Sequence, residues 1–156
     1  NFPNIKFNTV PHLELVQFIE NVIEEIQPDY IFTHHPSDLN DDHLCVSRAC
    51  QAASRLFQRR KDVKPIKGLY FMEILSSTDW SFPTNVSPFL PNTFIEVGED
   101  AIEKKIASLY AYEGVMRPYP HPRSEEVIKG LSALRGGQSG KVYAEAFQAV
   151  FQILEE

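Results

Sequence analysis

Positions 33 to 43 read THHPSDLNDDH, which places three histidines and three aspartates within eleven residues. Imidazole nitrogen and carboxylate oxygen are ligands of zinc and its relatives, and a catalytic zinc site takes three protein ligands and leaves a position for water. His43 is the strongest ligand candidate, because it falls in the first turn of a helix just above a strand end, where its ring can point into a cleft. His34 and His35 are adjacent and face opposite sides of a strand, so at most one of them joins such a site. Asp38, Asp41 and Asp42 could be ligands, carboxylates behind the ligands, or helix caps, with capping the default where the macrodipole favours anions. Asn40 could donate a hydrogen bond to an oxyanion, or occupy a turn in a left-handed conformation. The competing reading of the whole stretch is structural, since a lone His beside aspartates is more often a hydrogen-bonded framework residue.

The elements around the stretch are what would make it a site. PDYIF before it reads as an interior strand of parallel type, and LCVSRACQAASRLF after it as an amphipathic helix starting near Asp41 or Asp42. Open α/β folds bind their ligands where a strand's carboxyl end meets a helix start. Upstream, Leu15, Val16, Ile19, Val22, Ile23 and Ile26 recur at helical spacing, with Thr9 and Pro11 suited to the start and Pro28 to the stop. Downstream, GLYFMEIL from Gly68 and TFIEV from Thr93 read as strands, separated by the irregular SSTDWSFPTNVSPFLPN. Helices follow over GEDAIEKKIASLYAYEGV, capped near Glu99 or Asp100, and over SEEVIKGLSALRG, capped by Ser124 and ended by Gly136. YAEAFQAVFQILEE reads as a last helix, apolar on Phe147, Val150, Phe151 and Leu154. Alternating strands and helices predict a layered α/β domain, although no convincing strand opens the chain.

The totals narrow the partners. At 156 residues, 43% hydrophobic and 23% charged, the composition is that of one globular domain. A net charge of −6 repels phosphate backbones, so nucleic acid is not an expected partner, and the basic run RLFQRRKDVKPIK reads as a solvated helix end. No apolar run is long enough for a membrane span. Cys45 and Cys50 point to different faces of one helix, which argues against a mutual disulfide and agrees with a reducing, cytoplasmic location. The glycine and oxygen spacing of a calcium loop, a phosphate-binding glycine loop and a nucleophile elbow are all missing, which removes several enzyme classes.

Taken in order, PDYIFTHHPSDLNDDH, YFMEILSSTDW, YAYEGVMRPYPHPRS, LRGGQSG and YAEAF resemble the LmbE-like or PIG-L family of zinc-dependent N-acetylglucosaminyl deacetylases over nearly the whole chain. The resemblance implies a Rossmann-like layered sheet with flanking helices, one zinc ion, and hydrolysis of the acetamide of an N-acetylated amino sugar or glycoconjugate. His43 matches the family's third zinc ligand. Many relatives carry a His three positions earlier that assists the tetrahedral intermediate; here Asn40 stands there, which leaves that task to Asn40, His35 or His121. Asp42 would orient neighbouring backbone or the ligand helix. His121, Arg117 and Arg123 lie on a proline-stiffened loop that could close on the substrate, or that could be a connection ending in the Ser124 cap. Trp80 could stack on a sugar ring or anchor packing.

The family opens with a strand carrying an Ala-His-Pro-Asp-Asp-Glu-type motif that supplies two zinc ligands and the base, and nothing in this chain matches it. The 156 residues therefore resemble the C-terminal two thirds of a family member, a single incomplete domain lacking the N-terminal strand or strands, and are predicted inactive alone because one ligand cannot hold catalytic zinc. An uncovered sheet edge predicts self-association or reduced stability. The alternative from another class is a non-catalytic carbohydrate-binding or subunit-interface domain.

Overall fold

The structure, a computed structural model, describes residues 2–82 and 87–154. Its contacts divide into two compact units, Asn1–Leu90 with Gln148–Glu156, and Pro91–Phe147.

In the first unit, helix α1 (His12–Ile26) buries Leu15, Val16 and Ile23, and strand β1 (Tyr30–His34), helix α2 (Asp41–Ala53) and strand β2 (Gly68–Met72) follow. Leu15, Val16 and Ile23 pack with Ala49, Ala53, Leu56 and Val63 into one core. The end of α1 is stapled by Gln27, which sits at a left-handed φ of 53°. Its side-chain amide donates to the carbonyls of Glu24 and Asp62, and its oxygen accepts the Lys64 N–H, so local hydrogen bonds offset the strain a non-glycine residue meets there. β1 and β2 run parallel in a register pairing Tyr30 with Gly68 and His34 with Met72. The carboxyl ends of both strands therefore open on the same side.

In the second unit, strand β3 (Thr93–Glu96) leads into helix α3 (Glu99–Tyr110) and helix α4 (Glu125–Ser139), and β3 pairs antiparallel with the first half of strand β4 (Ala144–Gln152), whose residues from Gln148 on belong to the first unit. Ser124 caps α4 by accepting the Val127 N–H, as the sequence indicates. The helix passes through Gly136 and stops at Gly140 instead, whose φ of 73° suits glycine. Gly136 serves close packing: a Cβ there would lie 2.5 Å from the Val142 carbonyl oxygen.

The four strands form one mixed sheet in the order β1-β2-β4-β3 with helices flanking it, which is the α/β class read from the sequence. Two expectations are corrected. AEAFQAVFQ is a strand: its apolar residues do recur at helical spacing, but the segment starts with Ala144 and Ala146 buried in alternation and pairs with β3. Among the described residues β1 stands at the end of the strand order, with Tyr30 and Phe32 exposed on the face opposite the buried Thr33. Cys45 and Cys50 are free thiols. Part of the irregular stretch after β2 falls at 83–86, outside the described residues. No helix among the described residues is long and apolar enough to cross a membrane.

Candidate metal centre

The carboxyl end of β1, the turn after it and the first turn of α2 bring His34, Asp38 and His43 together. One ligating atom from each lies within 4.8 Å of the others. The two imidazoles stack in parallel, with ring centroids 3.8 Å apart and planes within 3°.

Asp38 is the fixed point of the cluster. Its side chain is fully buried, and Oδ1 lies 3.0 Å from His43 Nδ1 while also accepting the Asn40 N–H at 2.9 Å. Oδ2 accepts the hydroxyls of Ser77 and Thr78, both at 2.8 Å. Burial pushes this carboxyl up, but the hydrogen bonds from His43, the Asn40 backbone, Ser77 and Thr78 outweigh it and hold the group at about 2. An ionised carboxylate is acceptor-only, so the facing His43 Nδ1 carries a proton and the Nε2 lone pair is left for another partner. Carboxylates orient metal-ligating histidines in this way.

His34 has a different environment. Burial first, and then the neighbouring His43, push its pKa down to about 4 against the opposing pull of Asp38, so the ring is neutral at pH 7. Its Nδ1 is buried and makes no hydrogen bond among the described residues. Buried polar atoms are seldom left so, and a neutral imidazole with an unclaimed nitrogen is a metal donor. Two imidazoles beside a carboxylate suit zinc or a related divalent ion. The four hydrogen bonds on Asp38 occupy both its oxygens, so toward an ion it would act through His43, and the direct donors on this unit would be His43 and His34. Parallel rings set those donors side by side, and converging on one ion requires one ring to turn.

The other candidates have separate places. His35 is only 2% exposed; its Nδ1 lies 2.6 Å from Ser37 Oγ and accepts the Ser37 N–H, and its ring meets Phe71 and Phe89 edge-on. Burial lowers its pKa, with a Gln148 hydrogen bond and the Asp38 charge opposing, and the residue serves as a packed strut. Asn40 is the N-cap of α2, accepting the Asp42 N–H through Oδ1, which takes the capping role from Asp41 and Asp42. Asp42 accepts the N–H groups of Ile5 at 2.6 Å and Phe7 at 2.9 Å, so its carboxylate tethers the segment before α1 to α2. An Asp42→Ala chain is expected to lose about 1–2 kcal/mol of stability in urea titrations while keeping the metal content of the parent; an equal loss of metal would make Asp42 part of the centre. Trp80 is half-exposed in the turn after β2. A hollow of about 290 Å³ opens beside the turn, lined by Pro36, Leu39, Leu44, Ser81 and Phe82 among others.

His121, Arg117 and Arg123 belong to the second unit, on the connection between α3 and α4. His121 Nδ1 accepts the Arg123 N–H at 3.0 Å, and the Arg117 N–H donates to the Arg123 carbonyl at 3.1 Å, which closes the loop on itself. Arg123 is half-buried and its Nε has no hydrogen-bond partner among the described residues.

Ser77 and Thr78 carry no metal-ligand chemistry of their own and stand some 40 positions from Asp38. The signal that could have found them is topological, because parallel neighbours must place the turns following their carboxyl ends together.

No family model and no curated protein sequence matches this chain. Among solved structures, the chain is similar to the conserved protein TT1542 from Thermus thermophilus, with a TM-score of 0.72 and 24% identity over 100% of this chain and 66% of that one. It is also similar to the N,N'-diacetylchitobiose deacetylase from Pyrococcus horikoshii, solved with its inhibitor MPG, with a TM-score of 0.67 and 14% identity over 96% of this chain and 55% of that one. The α/β fold is thus shared with these proteins, and the chain spans less than two thirds of the length of each.

Proposed function

We propose that this chain carries part of the centre of a zinc-dependent hydrolase that removes the acetyl group from an N-acetylated amino sugar or glycoconjugate. The observation that carries the reading is the buried Asp38–His43 pair at the carboxyl end of a parallel strand, in a fold shared with a chitobiose deacetylase. His43 Nε2 and His34 would hold the ion, which when bound polarises an amide carbonyl and acidifies water. Asp38 keeps the proton on His43 Nδ1 and so keeps Nε2 available. Asn40 spends its Oδ1 on the α2 cap, which leaves its amide N–H groups as donors to an oxyanion. Substrate contacts by Trp80, Arg117, His121 and Arg123 rest on the family resemblance alone. That resemblance assigns the base and further ligands to an opening motif with no counterpart among these residues, so the chain alone is proposed to bind metal without turnover.

The test is metal analysis of the purified chain after zinc loading, together with acetate release from N-acetylglucosamine conjugates, with and without an added polypeptide carrying the opening motif. Stoichiometric zinc, and acetate released only on complementation, are expected. Failure to retain zinc would remove the proposal, and turnover by the chain alone would remove its claim that these residues lack a catalytic base.

A further inference from the structure

The second unit holds a cleft of its own. It has a volume of about 520 Å³ and is lined by Tyr110, Arg117, Tyr119, Glu125 and Glu126, with Met116 and Pro118 between them. That volume lies within the range of small-molecule sites. Tyr110 and Tyr119 are 58% and 65% exposed and so present ring surface to the cleft. Tyr110 is held in place, since its hydroxyl donates to Glu125 Oε1 at 2.9 Å. The bond to Glu125 and the charges of Glu125 and Glu126 push the phenol pKa up, which places both carboxylates close to that ring. Glu125 and Glu126 occupy the first turn of α4, where the helix dipole supports them as anions. Arg117 is fixed through its backbone to Arg123, and its guanidinium and the Glu126 carboxylate make no ion pair among the described residues.

These groups specify a ligand by their chemistry. The aromatic faces of Tyr110 and Tyr119 beside Pro118 and Met116 accept the C–H face of a flat-lying ring, and hydrogen-bonding groups around them accept hydroxyls. Two carboxylates against one guanidinium leave the cleft net negative, so it favours a ring that also bears a cation. A pyranose with a protonated amine satisfies all three demands, and that is the chemical form left when an acetamide is cleaved from an amino sugar. We propose that this cleft is a binding site for glucosamine-type units in their ammonium form. The choice of an amino sugar rests on the proposed function; the site itself rests on the cleft.

The experiment is titration calorimetry of the whole 156-residue chain in buffer containing a chelator, so that metal binding plays no part. The probes are a glucosamine tetramer, the fully N-acetylated tetramer and trilysine. Saturable binding of the glucosamine tetramer is expected, with each of Tyr119→Ala and Glu126→Gln weakening it about tenfold. Both side chains are exposed, and unchanged circular dichroism melts would show that the variants fold. The N-acetylated tetramer should bind more weakly, having no cation. The inference is overturned by equal or tighter binding of the acetylated tetramer, by equally tight binding of trilysine, by indifference to both substitutions, or by no binding. None of these outcomes bears on whether His43 retains zinc, so this inference and the proposed hydrolysis fail separately.

Discussion

A His43→Ala chain is expected to lose zinc affinity by more than about a hundredfold, whereas Asp38→Asn loses about 10–100-fold and the exposed His12→Ala loses nothing. The ranking follows from the direction of each contact. His43 offers Nε2 to an ion because its Nδ1 is engaged 3.0 Å from Asp38. Removing the ring removes a donor. Converting Asp38 to Asn leaves a side chain of the same shape but abolishes the charge that fixes the His43 tautomer, so the donor survives with a less certain orientation. His34→Ala is expected to approach the His43 variant, because the unclaimed Nδ1 marks His34 as the second donor. Its pKa near 4 means that protons compete for its nitrogen only in that region, since the neutral form is the one present above it. Competition titrations with a chromophoric chelator at pH 7 measure the whole series. Should Asp38→Asn abolish binding while His34→Ala leaves it intact, Asp38 would be a direct ligand and the division of roles drawn here would be wrong.

That division was only partly legible in the sequence, and the reasons are physical. α1, α2, β1, β2, β3 and the Ser124 cap were readable because each is set by local periodicity, proline placement or capping chemistry. β4 was not, because Ala, Glu and Gln favour helix and Phe147, Val150 and Phe151 recur at helical spacing, while pairing with β3 is a long-range fact that overrides propensity. The place of β1 at the end of the strand order was hidden for a related reason: Tyr30 and Phe32 look like interior residues until Tyr70 is found stacked on Phe32 and the strand order is known. At the candidate centre, His43 was singled out by its place in the first helical turn. The adjacency of His34 and His35 allows one of them to join, and only the pleat decides that His34 stacks on His43 while His35 turns to Ser37. Asp42 looked like a helix cap or an orienting group and proves to hold the backbone of Ile5 and Phe7, because a carboxylate in a helix's first turn will accept from whatever N–H groups are brought to it.

Asp38→Ala is expected to destabilise the first unit by about 3–5 kcal/mol, the largest stability effect of any single polar substitution considered in this chain. The side chain is fully buried and accepts from His43, the Asn40 N–H, Ser77 and Thr78, so truncation strands four donors at once in a site that water reaches poorly. Two of those donors come from the turn after β2, and the bonds to them tie that turn to the start of α2. The same arrangement gives a pH signature whose sign is fixed. Asp38 falls from an ordinary 3.8 to about 2 in the folded chain, so its contribution is fully present above the unfolded value and disappears as pH drops through the folded one. The shift corresponds to about 2 kcal/mol. The stability advantage of the parent over Asp38→Asn, taken from urea midpoints, should therefore shrink by about 2 kcal/mol between about pH 4.5 and about pH 2. An advantage that stayed constant across that interval would mean that the carboxylate gains nothing from its partners as an anion, and the case for a charged Asp38 setting the His43 tautomer would go with it.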